Sequence, residues 1–129
     1  MKKKAEWNDF EEKARKYFES FLKMSLVCNS VEIEGKGKKF DLVNKENKVV
    51  GDVKFYKNTI GGNIPSAKRS TLNEYVWLMQ KLGNSWRKII VIGEDKEMAQ
   101  KYVNDFGLWL GNVEVWFFTR KRNNAEKLR

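Results

Sequence analysis

The sequence predicts an α/β fold: a mixed sheet flanked by helices. Three observations carry this. Apolar residues recur at helical spacing in three separate segments. Alternating strand-like runs cluster between residues 30 and 56. One continuous apolar run, KIIVIG (88–93), has the composition of a central strand buried on both faces. At 129 residues, the length fits one domain.

Trp7, Phe10, Ala14, Phe18, Phe21, Leu22 and Ser25 mark a first helix over about 7–26. SVEIE (30–34) alternates as a strand. GKGKK (35–39) reads as a basic, glycine-containing turn. KFDLV (39–43) and KVVGDVKFY (48–56) read as two strands joined by a turn at Asn44–Asn47. The segment 57–67 is expected to be a loop, since Gly61, Gly62 and Pro65 fall there. Leu72, Tyr75, Val76, Met79 and Leu82 share one face of a second helix over 66–82, with Gly83 as its C-cap. A third helix is expected over 96–110, then a strand VEVWFF (113–118). In that strand one aromatic face, of Trp116 and Phe118 or of Phe117, is a candidate dimer surface. The polar tail 119–129 is expected to fray. The order is α-βββ-α-β-α-β, and its buried strand requires helices on both faces of the sheet.

Composition narrows the chemistry. The chain carries 26 Lys and Arg against 17 Asp and Glu, a net charge of +9, which suits an anionic partner. It has no histidine, so Ser-His-Asp and Cys-His catalysis and His-ligated zinc are excluded. The single cysteine, Cys28, cannot pair within the chain and is expected to be a buried thiol. Any metal must then be held by carboxylates and carbonyls, which points to Mg²⁺ or Mn²⁺. The start MKKKAEW lacks the apolar run of a secretory signal, and no stretch reaches membrane-spanning length. A cytoplasmic protein with no membrane segment is the expectation.

Two aspartates stand in strands otherwise built for burial. Alternation puts Val50, Asp52 and Lys54 on one face of their strand and Val49, Val53 and Phe55 on the other. On the partner strand Asp41 faces away from Phe40 and Leu42, and the turn brings 41 level with 52. Two adjacent carboxylates raise each other's proton affinity, and a divalent cation relieves that. Glu11 lies about 55° from the centre of the first helix's apolar stripe, so it turns inward and needs a partner. Glu19 is the second choice.

The pattern Asp41…Asp52-Val53-Lys54, with this element order, resembles the PD-(D/E)xK nuclease superfamily. The resemblance covers roughly residues 7–93. Phe40 stands where the family's name places proline. It implies a restriction-endonuclease-like α-βββ-α-β core with an added α-β. By the same resemblance, Asp41, Asp52, the Val53 carbonyl and Glu11 hold the metal, and Lys54 orients the attacking water. The implied activity is metal-dependent hydrolysis of DNA phosphodiesters, by a homodimer similar to junction resolvases. Lys36, Lys38, Lys39, Lys57, Lys68 and Arg69 are the candidate DNA contacts. The alternatives are a nucleic-acid-binding module without catalysis, on a degenerate nuclease fold, for which clustered acids are a poor contact surface, and an assembly subunit using its aromatic strand.

Overall fold

The computed structural model describes residues 2–56 and 65–129, with side chains from residue 5 onward. Lys57, Gly61 and Gly62 therefore lie outside the described residues. The elements run α1 (Lys2–Leu22), β1 (Val27–Ile33), β2 (Lys36–Asn44), β3 (Val49–Tyr56), α2 (Ser66–Gln80), β4 (Arg87–Glu94), α3 (Lys96–Phe106), a short 3₁₀ turn (Gly107–Trp109), β5 (Glu114–Thr119) and β6 (Asn124–Lys127). The six strands form one sheet in the order β1-β2-β3-β4-β5-β6. β1-β2 and β2-β3 pair antiparallel, β3-β4 and β4-β5 parallel, and β5-β6 antiparallel. The structure is thus α/β, a mixed sheet flanked by three helices.

Strand alternation sorts the core into two layers. Phe10, Ala14 and Phe18 of α1 pack on Leu42, Val49, Val53, Ile89, Val91, Trp116 and Phe118. Leu72, Val76 and Met79 of α2, with Met98, Ala99 and Tyr102 of α3, pack on Phe40, Val43, Val50, Ile90, Ile92 and Val115. The two parallel crossovers β3-α2-β4 and β4-α3-β5 step in one direction along the sheet. A constant crossover hand then places both helices on the same face. The other face is left for α1. β4 is central, and its apolar run is buried throughout, as its composition requires.

Several boundaries differ from the sequence expectation. α1 ends at Leu22 because Lys23 turns left-handed (φ 58°) and the Met24 amide reaches back to the Glu19 carbonyl, 3.2 Å. The β1-β2 turn is not GKGKK. It is the two residues Glu34 and Gly35, both at positive φ (49° and 83°), which is the geometry of a type I′ hairpin turn. Lys36, Lys38 and Lys39 consequently lie on β2. α2 stops at Gln80 and is capped by Lys81, not Gly83, and α3 gives way to the 3₁₀ turn at Gly107.

The tail does not fray. β6 pairs with β5 through Phe118↔Ala125 and Trp116↔Lys127, and the Leu128 amide donates to the Val115 carbonyl at 2.8 Å. Nor does β5 leave an aromatic face free: Trp116, Phe117 and Phe118 are all buried. β6 satisfies the outer edge of β5, whose unpaired backbone would otherwise invite association. No helix of the described residues is long and apolar enough to cross a membrane.

Candidate active site

The site lies where β2 and β3 part. Their ladder runs Asn44↔Val49, Val43↔Val50 and Leu42↔Gly51, and among the described residues no pairing follows beyond it. On its other edge β2 carries a bulge. Its register with β1 shifts between Val27↔Val43 and Asn29↔Phe40, so Asp41 and Leu42 together face Cys28. The extra residue corrects the expectation that Phe40 and Leu42 share a face. Phe40 enters the α2 layer and Leu42 the α1 layer. Asp41 is thereby directed into the opening between the strands. Its Oδ2 accepts a hydrogen bond from the Val53 amide at 2.9 Å, which replaces the missing strand pairing.

From this position Asp41 can be reached from both faces of the sheet. Glu11 approaches from α1. Burial pushes its carboxyl up to about 7, helped by the charge and close contact of Asp41. Asp52 approaches from the α2 face and is 1% exposed. Its carboxyl is pushed up to about 8, first by burial and then by the Asp41 charge, against the opposing pull of Lys54. Lys54 Nζ stands 2.7 Å from Asp52 Oδ2, yet no described group gives that oxygen a well-directed hydrogen bond. The Tyr75 ring of α2 lies 4.3 Å from Lys54 Nζ and so holds the ammonium from its other side.

Three residues at the site were not legible in the sequence. Arg15 Nη2 reaches Glu11 Oε1 at 3.2 Å and the Asp41 carbonyl at 3.4 Å. Its i+4 spacing from Glu11 was the available signal. Tyr75 was placed in the core stripe of α2, and it is half-buried between that core and Lys54. Cys28 is the third, and the expectation of a buried thiol is wrong: Cys28 is exposed. It stands opposite the bulge on the exposed first part of edge strand β1, and ligand atoms of Glu11, Cys28 and Asp41 all lie within 4.8 Å of one another.

The other candidates fall into place unevenly. Glu19 is not part of the site, because its Oε2 accepts from the Leu26 amide at 2.9 Å and closes the turn after α1. The Val53 side chain belongs to the α1 layer, and its amide serves Asp41. Lys38 borders the site through the Tyr75 ring, 4.7 Å away, and Glu74, 3.8 Å away. Lys39 is near enough to Cys28 to pull its thiol down, against the larger upward push of burial. Lys36 lies further along, next to the β1-β2 turn. Lys68 and Arg69 sit in the first turn of α2, with Lys68 Nζ 4.8 Å from the Tyr56 ring. No protein-family model, curated protein or solved structure matches the chain.

Glu11, Asp41 and Asp52 are the carboxylates that could hold a cation here, with Cys28 beside the first two. Three carboxyl groups meet around Asp41, and the cations beside them, Lys54 and Arg15, leave Glu11 and Asp52 well above the ordinary carboxylate range. Asp52 Oδ2 is a buried oxygen without a directed donor.

Proposed function

We propose that the chain is a metal-dependent DNA endonuclease of the PD-(D/E)xK type, with a restriction-endonuclease-like core extended by α3, β5 and β6. The observation that carries the reading is Asp41 in the gap between β2 and β3. There a Glu11 carboxylate oxygen lies within 4.8 Å of it on one side and the buried Asp52 feels its charge on the other, with Lys54 2.7 Å from Asp52.

In this reading Asp41, Asp52 and the Val53 carbonyl would hold Mg²⁺ or Mn²⁺, with Glu11 beside them. Such an ion would supply a Lewis acid for the phosphate and help activate the attacking water. The protein residues do the positioning. Asp52, buried, presents a fixed carboxylate. Lys54, held between Asp52 and the Tyr75 ring, directs its ammonium at the attacking water and the phosphate charge. Arg15 fixes Glu11. Lys38, Lys39, Lys68 and Arg69 draw the backbone of DNA towards the site by salt-sensitive attraction. So few residues remain for reading base edges that the reading favours recognition of DNA shape, such as a branch, with two copies of the chain cutting two strands.

The test is cleavage of supercoiled plasmid and of a four-way junction in Mg²⁺, Mn²⁺ or EDTA. Wild type is compared with Asp52→Asn and Lys54→Met, their folding checked by circular dichroism. Cutting that needs metal and is lost in both folded variants supports the reading. Cutting that persists in either variant overturns it, as does an intact protein that cuts nothing in any metal.

A further inference from the structure

A second groove lies on the flank of α1 turned away from Glu11. It encloses about 730 Å³ between α1 and the β5-β6 turn. Lys13, Lys16, Tyr17 and Phe21 line it from the helix, and Arg120 and Asn123 from the turn. None of its lining residues is acidic.

Its aromatic wall is ordered. The Tyr17 and Phe21 rings stack nearly parallel, 12° apart with centroids at 6.3 Å. Tyr17 is anchored against Phe18 and Phe118, and Phe21 against Phe18 and Trp116. Phe21 is nevertheless 48% exposed. Packing this large an apolar ring only half into the fold leaves a flat surface open to the groove.

Its cations differ in freedom. Arg120 is fixed by Glu94 and Asp9, which match its charge, and forms a rigid floor. Among the described residues Lys13 and Lys16 pair with Asp9 and Glu12, one turn earlier on the same helix, at 3.3 Å and 3.0 Å. All four of those side chains are well exposed, and such pairs contribute little. A phosphate can compete for both ammonium groups.

Cations flanking an anchored, half-open aromatic wall are what a single-stranded nucleic acid requires: phosphates meet the lysines while a base stacks on the ring. We propose that this groove binds single-stranded nucleic acid, with Lys13 and Lys16 on the backbone and Phe21 under a base. The concave shape argues against a lipid surface, which takes a protruding apolar face. The site is separate from Glu11, Asp41 and Asp52 and does not depend on cleavage.

The test is fluorescence anisotropy of a labelled oligo-dT across a salt series in EDTA, where no metal-dependent reaction runs. Lys13→Gln/Lys16→Gln is compared with Lys45→Gln/Lys101→Gln, which removes the same charge elsewhere. Phe21→Leu keeps most of the packing but removes the ring. The expected result is about a tenfold or greater loss for the groove pair, with a salt slope lower by roughly 1 to 1.5. Phe21→Leu should lose several-fold and the control pair less than about threefold. Equal losses in the two pairs would overturn the proposal, as would wild-type binding by Phe21→Leu. So would absence of oligonucleotide binding together with Lys13- and Lys16-dependent capture on phosphatidylserine vesicles. A protein that binds in this way but never cuts refutes the nuclease reading alone. One that cuts yet shows no groove dependence refutes this inference alone.

Discussion

Replacing Asp52 by Asn tests the electrostatics of the site without metal or substrate. The Asp52 carboxyl is held at about 8 in the fold against an ordinary value of 3.8. A raised acid favours the folded state fully only below its unfolded value, and that contribution is lost as pH rises through the folded one. From pH 5 to pH 8 the unfolded chain is ionised throughout, while the folded chain still holds the Asp52 proton until the pH nears 8, so folding must take up a proton that becomes ever scarcer. Linkage at about 1.4 kcal/mol per tenfold gives wild type a loss on the order of 3 kcal/mol from this group across that window. Asn at 52 keeps the shape and cannot titrate. Glu11, held at about 7, adds a fall of the same sign that survives in the variant. Guanidinium unfolding of both proteins in EDTA, at pH 5 and pH 8, measures the difference directly. The stability of Asp52→Asn relative to wild type should rise by roughly 3 kcal/mol from pH 5 to pH 8. A difference that stays constant over the window would refute the reasoning, because Asp52 would then titrate alike in both states.

Other outcomes follow from the same geometry. Gly51→Ala should cost about 1–3 kcal/mol by thermal unfolding, because a Cβ there would lie 3.0 Å from the Ile89 carbonyl and 3.3 Å from Leu42. Deleting residues 124–129 removes β6 and opens the edge of β5, so light scattering should report self-association. Cys28, exposed beside Glu11 and Asp41, should react with a maleimide in EDTA and several-fold more slowly in saturating Mn²⁺. Asp41→Ala removes the acceptor of the Val53 amide, and hydrogen exchange at that amide should speed up relative to wild type.

How much could be read in advance depended on whether neighbours or periodicity set the structure. The helices, the central strand and the face shared by Asp52 and Lys54 follow from apolar spacing, which the chain writes locally. The inward turn of Glu11 was equally local. β6 was not legible because Asn124–Lys127 is polar with weak strand propensity. It pairs because β5 offers an open edge. The bulge was hidden too. It depends on the register between β1 and β2, and it determines where Asp41 points and why Leu42 and Phe40 part; Cys28 is exposed because it lies in the open first part of edge strand β1. Glu19 illustrates the same limit. Its helical phase was read, but not that the turn after Leu22 would need its carboxylate for the Leu26 amide.

Titration calorimetry with Mn²⁺ tests the central claim most directly, comparing wild type, Asp41→Asn and Asp52→Asn at pH 8. The account predicts saturable Mn²⁺ binding by wild type and a loss of about tenfold or more in each folded variant. Wild type that takes up no Mn²⁺, or variants that bind it as wild type does, would contradict the claim that Asp41 and its neighbours form a metal centre.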